Sequence, residues 1–212
     1  MKRVLISLMA LVVVVATAVA ARGITRVEPR TLSGGDGHGL IRWDLPLIAD
    51  GVAVPGGTDV STDAATGDTI TLTGSGQAEP GESEAAGGGT FVHRHADGTE
   101  VAHGVYYVIG FKRWRHLAGG NFAATGLIDG IGNGPGSSRN ENEPSSGILR
   151  LKVRFIPDVG GVPQPGINGV LIINCHLPNT TVFVEEGVEV KVPSFNLDFT
   201  QTSGVTLFHL VH

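Results

Sequence analysis

The sequence predicts an all-β, single-domain protein: an antiparallel β-barrel, with a two-sheet β-sandwich or jelly roll as the alternative. Three observations predict it. Short valine- and threonine-rich runs alternate polar and apolar residues at period two. The 32 glycines and 11 prolines punctuate those runs, at a density below that of disordered chains. Beyond the N-terminus no segment carries apolar residues at helical spacing.

Residues 1–20 are set apart from that domain. Lys2 and Arg3 form a positive start, residues 5–15 an apolar stretch broken by Ser7, and Ala18-Val19-Ala20 a small-x-small ending. This is the pattern of a cleavable signal peptide, with an uncleaved signal anchor as the alternative and the sole membrane attachment expected. Residues 21–212 are then one secreted, extracytoplasmic domain, long enough to bury a core by itself. Its single cysteine, Cys175, excludes an intramolecular disulfide. That points to a bacterial exported protein with a buried, inert thiol. Asn179-Thr180-Thr181 is a formal glycosylation sequon. A formal net charge of −5, more acidic still once Lys2 and Arg3 are removed, argues against nucleic acid as a partner.

Along the domain, Thr69-Ile-Thr-Leu-Thr73 reads as a first strand. Residues 74–89 are small and polar, either a loop or a strand pair bent by glycine. Residues 90–96 and 99–114 flank Asp97-Gly98, a dipeptide suited to a two-residue hairpin turn. Parity along the second strand assigns Val101, Val105, Tyr107, Ile109 and Phe111 to the core face. Glu100, Ala102, Gly104, Tyr106 and Val108 fall on the other. Residues 133–147 contain almost no apolar side chain and predict an exposed, mobile loop. Residues 148–156 alternate Leu149, Leu151, Val153 and Phe155 with Arg150, Lys152 and Arg154. Further strands are expected over 170–177, 181–184, 188–192, 194–199 and 205–211. The alternation of glycine-rich bends with such strands is loosely similar, in architecture, to dirigent-like and allene-oxide-cyclase-like barrels.

Three segments hold residues that could bind a ligand. The first is Gly87-Gly-Gly-Thr-Phe-Val-His93-Arg-His95-Ala-Asp-Gly-Thr-Glu100. On a strand, His93 and His95 point to one face, and a two-residue Asp97-Gly98 turn would set His95 opposite Glu100. Two imidazoles and a carboxylate suit a divalent transition metal. The segment resembles the first motif of the cupin superfamily: glycine, five residues, His-x-His, four residues, Glu. The resemblance implies a metal held by His93, His95 and Glu100, with His176 or His209 completing the site. The second segment ends a strand in Lys112-Arg113-Trp114-Arg115-His116, where Arg113, Trp114 and Arg115 could grip an anionic glycan. The third, Asp59-Val-Ser-Thr-Asp63-Ala-Ala-Thr-Gly-Asp68, alternates oxygen ligands as calcium loops do, or simply makes turn hydrogen bonds.

Gly-x-Ser-x-Gly, His-Glu-x-x-His and phosphate-cradling loops are absent from the sequence. The expectation is therefore a non-catalytic exported β-domain that binds a small apolar ligand, a glycan or a cell-surface partner. In that reading His93, His95 and Glu100 lie at the surface, and the ligand sits in a barrel mouth or against Trp114. The alternative is a cupin-like metal-dependent enzyme.

Overall fold

A computed structural model describes residues 39–132 and 142–211. The signal segment 1–20 and most of the expected 133–147 loop lie outside the described residues. The chain is almost entirely β. Its strands are β1 (Leu40–Asp44), β2 (Leu47–Ala49), β3 (Val52–Val54), β4 (Asp59–Asp63), β5 (Thr69–Leu72), β6 (Ser75–Glu79), β7 (Glu84–Arg94) and β8 (Glu100–Leu117). They continue with β9 (Ile128–Asp129), β10 (Asn142–Val159), β11 (Val162–Pro163), β12 (Ile167–Cys175), β13 (Gly187–Val192), β14 (Leu197–Thr202) and β15 (Leu207–Val211).

Twelve of these strands form one antiparallel sheet, while β2, β3 and β9 form a small second one. In the large sheet the pairing path runs β10-β12-β13-β14-β4-β5-β7-β8 and returns to β10 through the long β8–β10 ladder. At the other end β6 takes over from β5 beside β7, and β15 pairs the start of β10. With β1 bridging β6 and β15, a second closed path of pairings shares β7, β8 and β10 with the first. Where two ladders flank a strand, as at Tyr106 of β8 and Leu151 of β10, its backbone groups are satisfied on both sides.

The core fills both ends. Ile70, Leu72, Phe91, Tyr106, Val153, Phe155, Leu171, Val190 and Phe199 belong to one continuous apolar cluster with Trp43, Leu149 and Phe208. Two tryptophans fit because glycine stands opposite them. Trp43 is fully buried over Gly76 and Gly87, where an added Cβ would come within 2.8 and 2.9 Å of its ring. Trp114 packs edge-on against Phe208, with centroids 4.9 Å apart, and lies over Gly147. The glycine-rich stretch after residue 74 is thus the strand pair β6–β7, built without side chains where an indole must pass.

Three expectations are corrected. Residues 142–147 belong to β10 rather than a loop, and Ser145 and Ser146 are buried. Their polarity is accommodated by hydrogen bonding: Ser146 Oγ accepts the Leu177 N–H at 3.0 Å and meets Thr180 Oγ1 at 2.6 Å. Residues 181–184 form no strand, and Phe183 is 80% exposed. Finally, the faces of β8 are inverted. Val101, Val105, Tyr107 and Ile109 are exposed, whereas Tyr106 is buried with its hydroxyl donating to Thr73 O at 2.9 Å. Apolar content alone misassigns the face because β8 is apolar on both sides. Phe111 rejoins the core through register shifts in the β8–β10 ladder.

The glycine–tryptophan fit can be measured. A Cβ at residue 147 would sit 2.0 Å from Trp114, whereas at Gly110 the nearest atom is 3.6 Å away. Gly147→Ala is expected to cost about 1–3 kcal/mol of unfolding free energy. Gly110→Ala should stay within ~0.5 kcal/mol of the parent by denaturant titration.

Candidate functional site

One end of the eight-strand path opens into an apolar cavity of about 190 Å³. Ile70 of β5, Phe91 and His93 of β7, Ala102 of β8, Phe155 of β10 and Phe199 of β14 contribute to its wall. Phe195 and Leu197 lie at its β13–β14 side. Phe91 meets Phe155 edge-to-face at 5.2 Å, and His93 meets Phe199 likewise at 5.5 Å. Among the described residues, His93 is the only ionisable one in the lining.

His93 is held by a carboxylate that sequence proximity does not suggest. The Asp68 Oδ2 lies 3.1 Å from His93 Nε2 and 3.2 Å from His95 Nδ1. Pairing of Ile70 with His93 brings the end of the β4–β5 turn beside the β7–β8 hairpin and creates this contact. Burial opposes the charge on Asp68, but the hydrogen bonds from His93 and His95 outweigh it and hold the carboxyl below its usual range. With Nε2 engaged, Nδ1 is the His93 nitrogen left for a ligand.

Glu100 is placed elsewhere, and the reason is the turn. His95 N–H donates to Thr99 O and Gly98 N–H to His95 O, both at 2.8 Å, so Ala96-Asp97-Gly98 is a three-residue loop with Gly98 at φ +86°. This is the geometry of a turn closed by a glycine bulge, one residue longer than an Asp-Gly hairpin. Glu100 therefore opposes Arg94, and a further register shift separates that pair from His93↔Ala102. A slip of one residue sends a side chain to the other face. Glu100 instead binds Arg94 at 2.8 Å and His103 at 2.7 Å. His176 stands against Phe183, and His209 is buried against Asp129 at 2.8 Å. Among the described residues no three His, Cys, Asp or Glu side chains converge as a metal site. The cupin-like ligand set of His93, His95 and Glu100 is thus not assembled.

The Asp59–Asp68 segment is also dispersed. Asp63 accepts N–H groups from Ala65, Thr66 and Asp198, while Asp59 is buried inside. Arg113 and Arg115 are exposed on the outer face of β8, whereas Trp114 turns inward and stacks with His116, so the three do not share one surface. Cys175 is buried, with its thiol pushed up by burial and by the nearby Glu186 charge.

Sequence reasoning also missed two interacting acids at the far end of the same path, the buried Asp59 and the half-buried Glu186. Asp59 Oδ2 accepts the Val188 N–H at 3.0 Å, and its Oδ1 has no partner. Glu186 accepts hydrogen bonds from Thr206 and from the His176 N–H. Burial pushes Asp59 up to about 7; the Val188 N–H opposes this and the Glu186 charge adds to it. Burial raises Glu186 as well, against the hydrogen bonds it accepts.

Comparison with known proteins finds no matching protein family, no similar curated protein and no similar solved structure.

The buried Asp59 makes a signed prediction. Its folded form holds a proton that the unfolded chain releases near pH 4, so the stability it contributes is complete below that pH. That contribution is lost as the pH rises through about 7. It amounts to at most ~4 kcal/mol. Thermal melts from pH 4 to 8 should fall more steeply for the parent than for Asp59→Asn. Parallel pH profiles would exclude a raised Asp59.

Proposed function

We propose that the chain is an exported β-barrel domain that binds a small, largely apolar molecule in the barrel mouth, with His93 as its polar anchor. The observation that carries this reading is the cavity itself. It is about 190 Å³, its wall comes from strands around the closed pairing path, and one positioned histidine interrupts an aromatic and aliphatic lining. Ligand sites in β-proteins favour such mouths, apolar with few placed polar groups. A buried apolar cavity near 150 Å³ accommodates benzene. The fitting ligand is therefore a monocyclic aromatic or a short acyl compound bearing one hydroxyl or acid proton that His93 Nδ1 can accept. The closed path of strand pairings supports the barrel, and the N-terminal sequence pattern supports export.

Ligand-observed NMR with neutral phenols and short-chain alcohols tests the site. Binding should be lost in Ala102→Phe, whose ring would fill the mouth, with the melting temperature kept. His93→Leu should weaken hydroxylated ligands by roughly tenfold and spare their hydrocarbon analogues, since it removes one hydrogen bond and little apolar surface. A ligand indifferent to Ala102→Phe binds elsewhere, and that result sinks the proposal.

A further inference from the structure

The cations of this acidic chain are unevenly placed. Among the described residues, Arg42, Arg94 and Lys191 pair with carboxylates. Lys112, Arg113, Arg115, Arg150, Lys152 and Arg154 form no ion pair, and all lie on the adjacent strands β8 and β10. Arg113 and Arg150 are direct cross-strand partners, as are Arg115 and Ile148. Like charges set opposite one another destabilise a sheet, and no carboxylate stands directly across the β8–β10 ladder from Arg113, Arg115, Arg150, Lys152 or Arg154. Glu100, Glu143 and Asp158 lie toward the ends of these strands, and Glu189, two strands from Arg150, is engaged by Asn174 at 2.8 Å.

The side chains of Arg113, Arg115, Ile148 and Arg150 enclose a shallow recess of about 80 Å³. From there Lys152 and Arg154 continue along β10 at alternate positions, spaced ~6.7 Å apart. Tyr107, exposed and paired with Arg154, supplies an aromatic plane at the far end. We propose that this face binds a linear acidic polysaccharide, with one carboxylate or sulfate seated among the three arginines and the chain running along β10. Guanidinium forks match such oxyanions in pairs of hydrogen bonds. A line of cations ending on a single aromatic suits a linear saccharide better than a bilayer plane. The site lies outside the mouth cavity and is independent of what that cavity binds.

Equilibrium binding to polygalacturonate and to heparin tests it, with neutral dextran as blank and phosphatidylglycerol vesicles and duplex DNA as competing probes. Affinity for at least one acidic polysaccharide should fall roughly tenfold or more in Arg113→Gln/Arg150→Gln, as expected for loss of two charge-assisted contacts. Lys191→Gln should leave it unchanged, because Lys191 is already paired with Asp198. The double variant should melt at or above the parent temperature at low salt, which separates lost binding from lost folding. The proposal is overturned if neither polysaccharide binds, if Lys191→Gln loses as much, or if vesicles or DNA bind more tightly.

Discussion

A sheet that closes on itself must fill its interior with side chains of fixed size, and here that constraint is met by pairing tryptophan with glycine. Trp43 and Trp114 each occupy space that a Cβ on the facing strand would remove. Burying an indole contributes about 2–3 kcal/mol or more of apolar transfer, but only where close packing leaves room for it. The strands β6, β7 and β10 are therefore glycine-bearing where they pass these rings. The glycines weaken local strand preference, and the antiparallel ladders on both sides restore it.

The same constraint shapes the apolar cavity. Strand β7 brings Phe91 and His93 to the interior, while the outer face of β8 keeps Val105, Tyr107 and Ile109 in solvent. The three-residue turn at residues 96–98 decides which acid meets the histidines. With the shorter turn, Glu100 would oppose His95; with the longer one, Glu100 is spent on Arg94 and His103, and Asp68 orients His93 from another strand pair. Asp68 thereby orients the His93 imidazole in the wall of the apolar cavity.

The far end of the interior has the opposite character. Asp59 is enclosed with one oxygen unpartnered, close enough to Glu186 for their charges to interact. Buried carboxyls of this kind cost stability unless they keep a proton. Apolar packing around Leu72, Val188 and Phe199 has to outweigh that cost.

Much of the fold was legible in the residues. Period-two alternation located β5, β8, most of β10, β12, β13 and β15, and Leu149, Leu151, Val153 and Phe155 do form the buried face of β10. The strands β1–β4 were not legible, because they are short and carry Asp44, Asp59, Ser61 and Asp63 in buried positions. Nor was the start of β10, where the Ser146 hydroxyl is held by partners more than 30 residues away. By itself the sequence determined the all-β character, the turns at glycine and the burial of the lone cysteine. Only the tertiary structure decided the faces of β8, the acid that holds His93 and the gathering of unpaired cations on one surface. Alternation is a local property of one strand, whereas register, bulges and cross-strand partners depend on the pairing of residues distant in the chain.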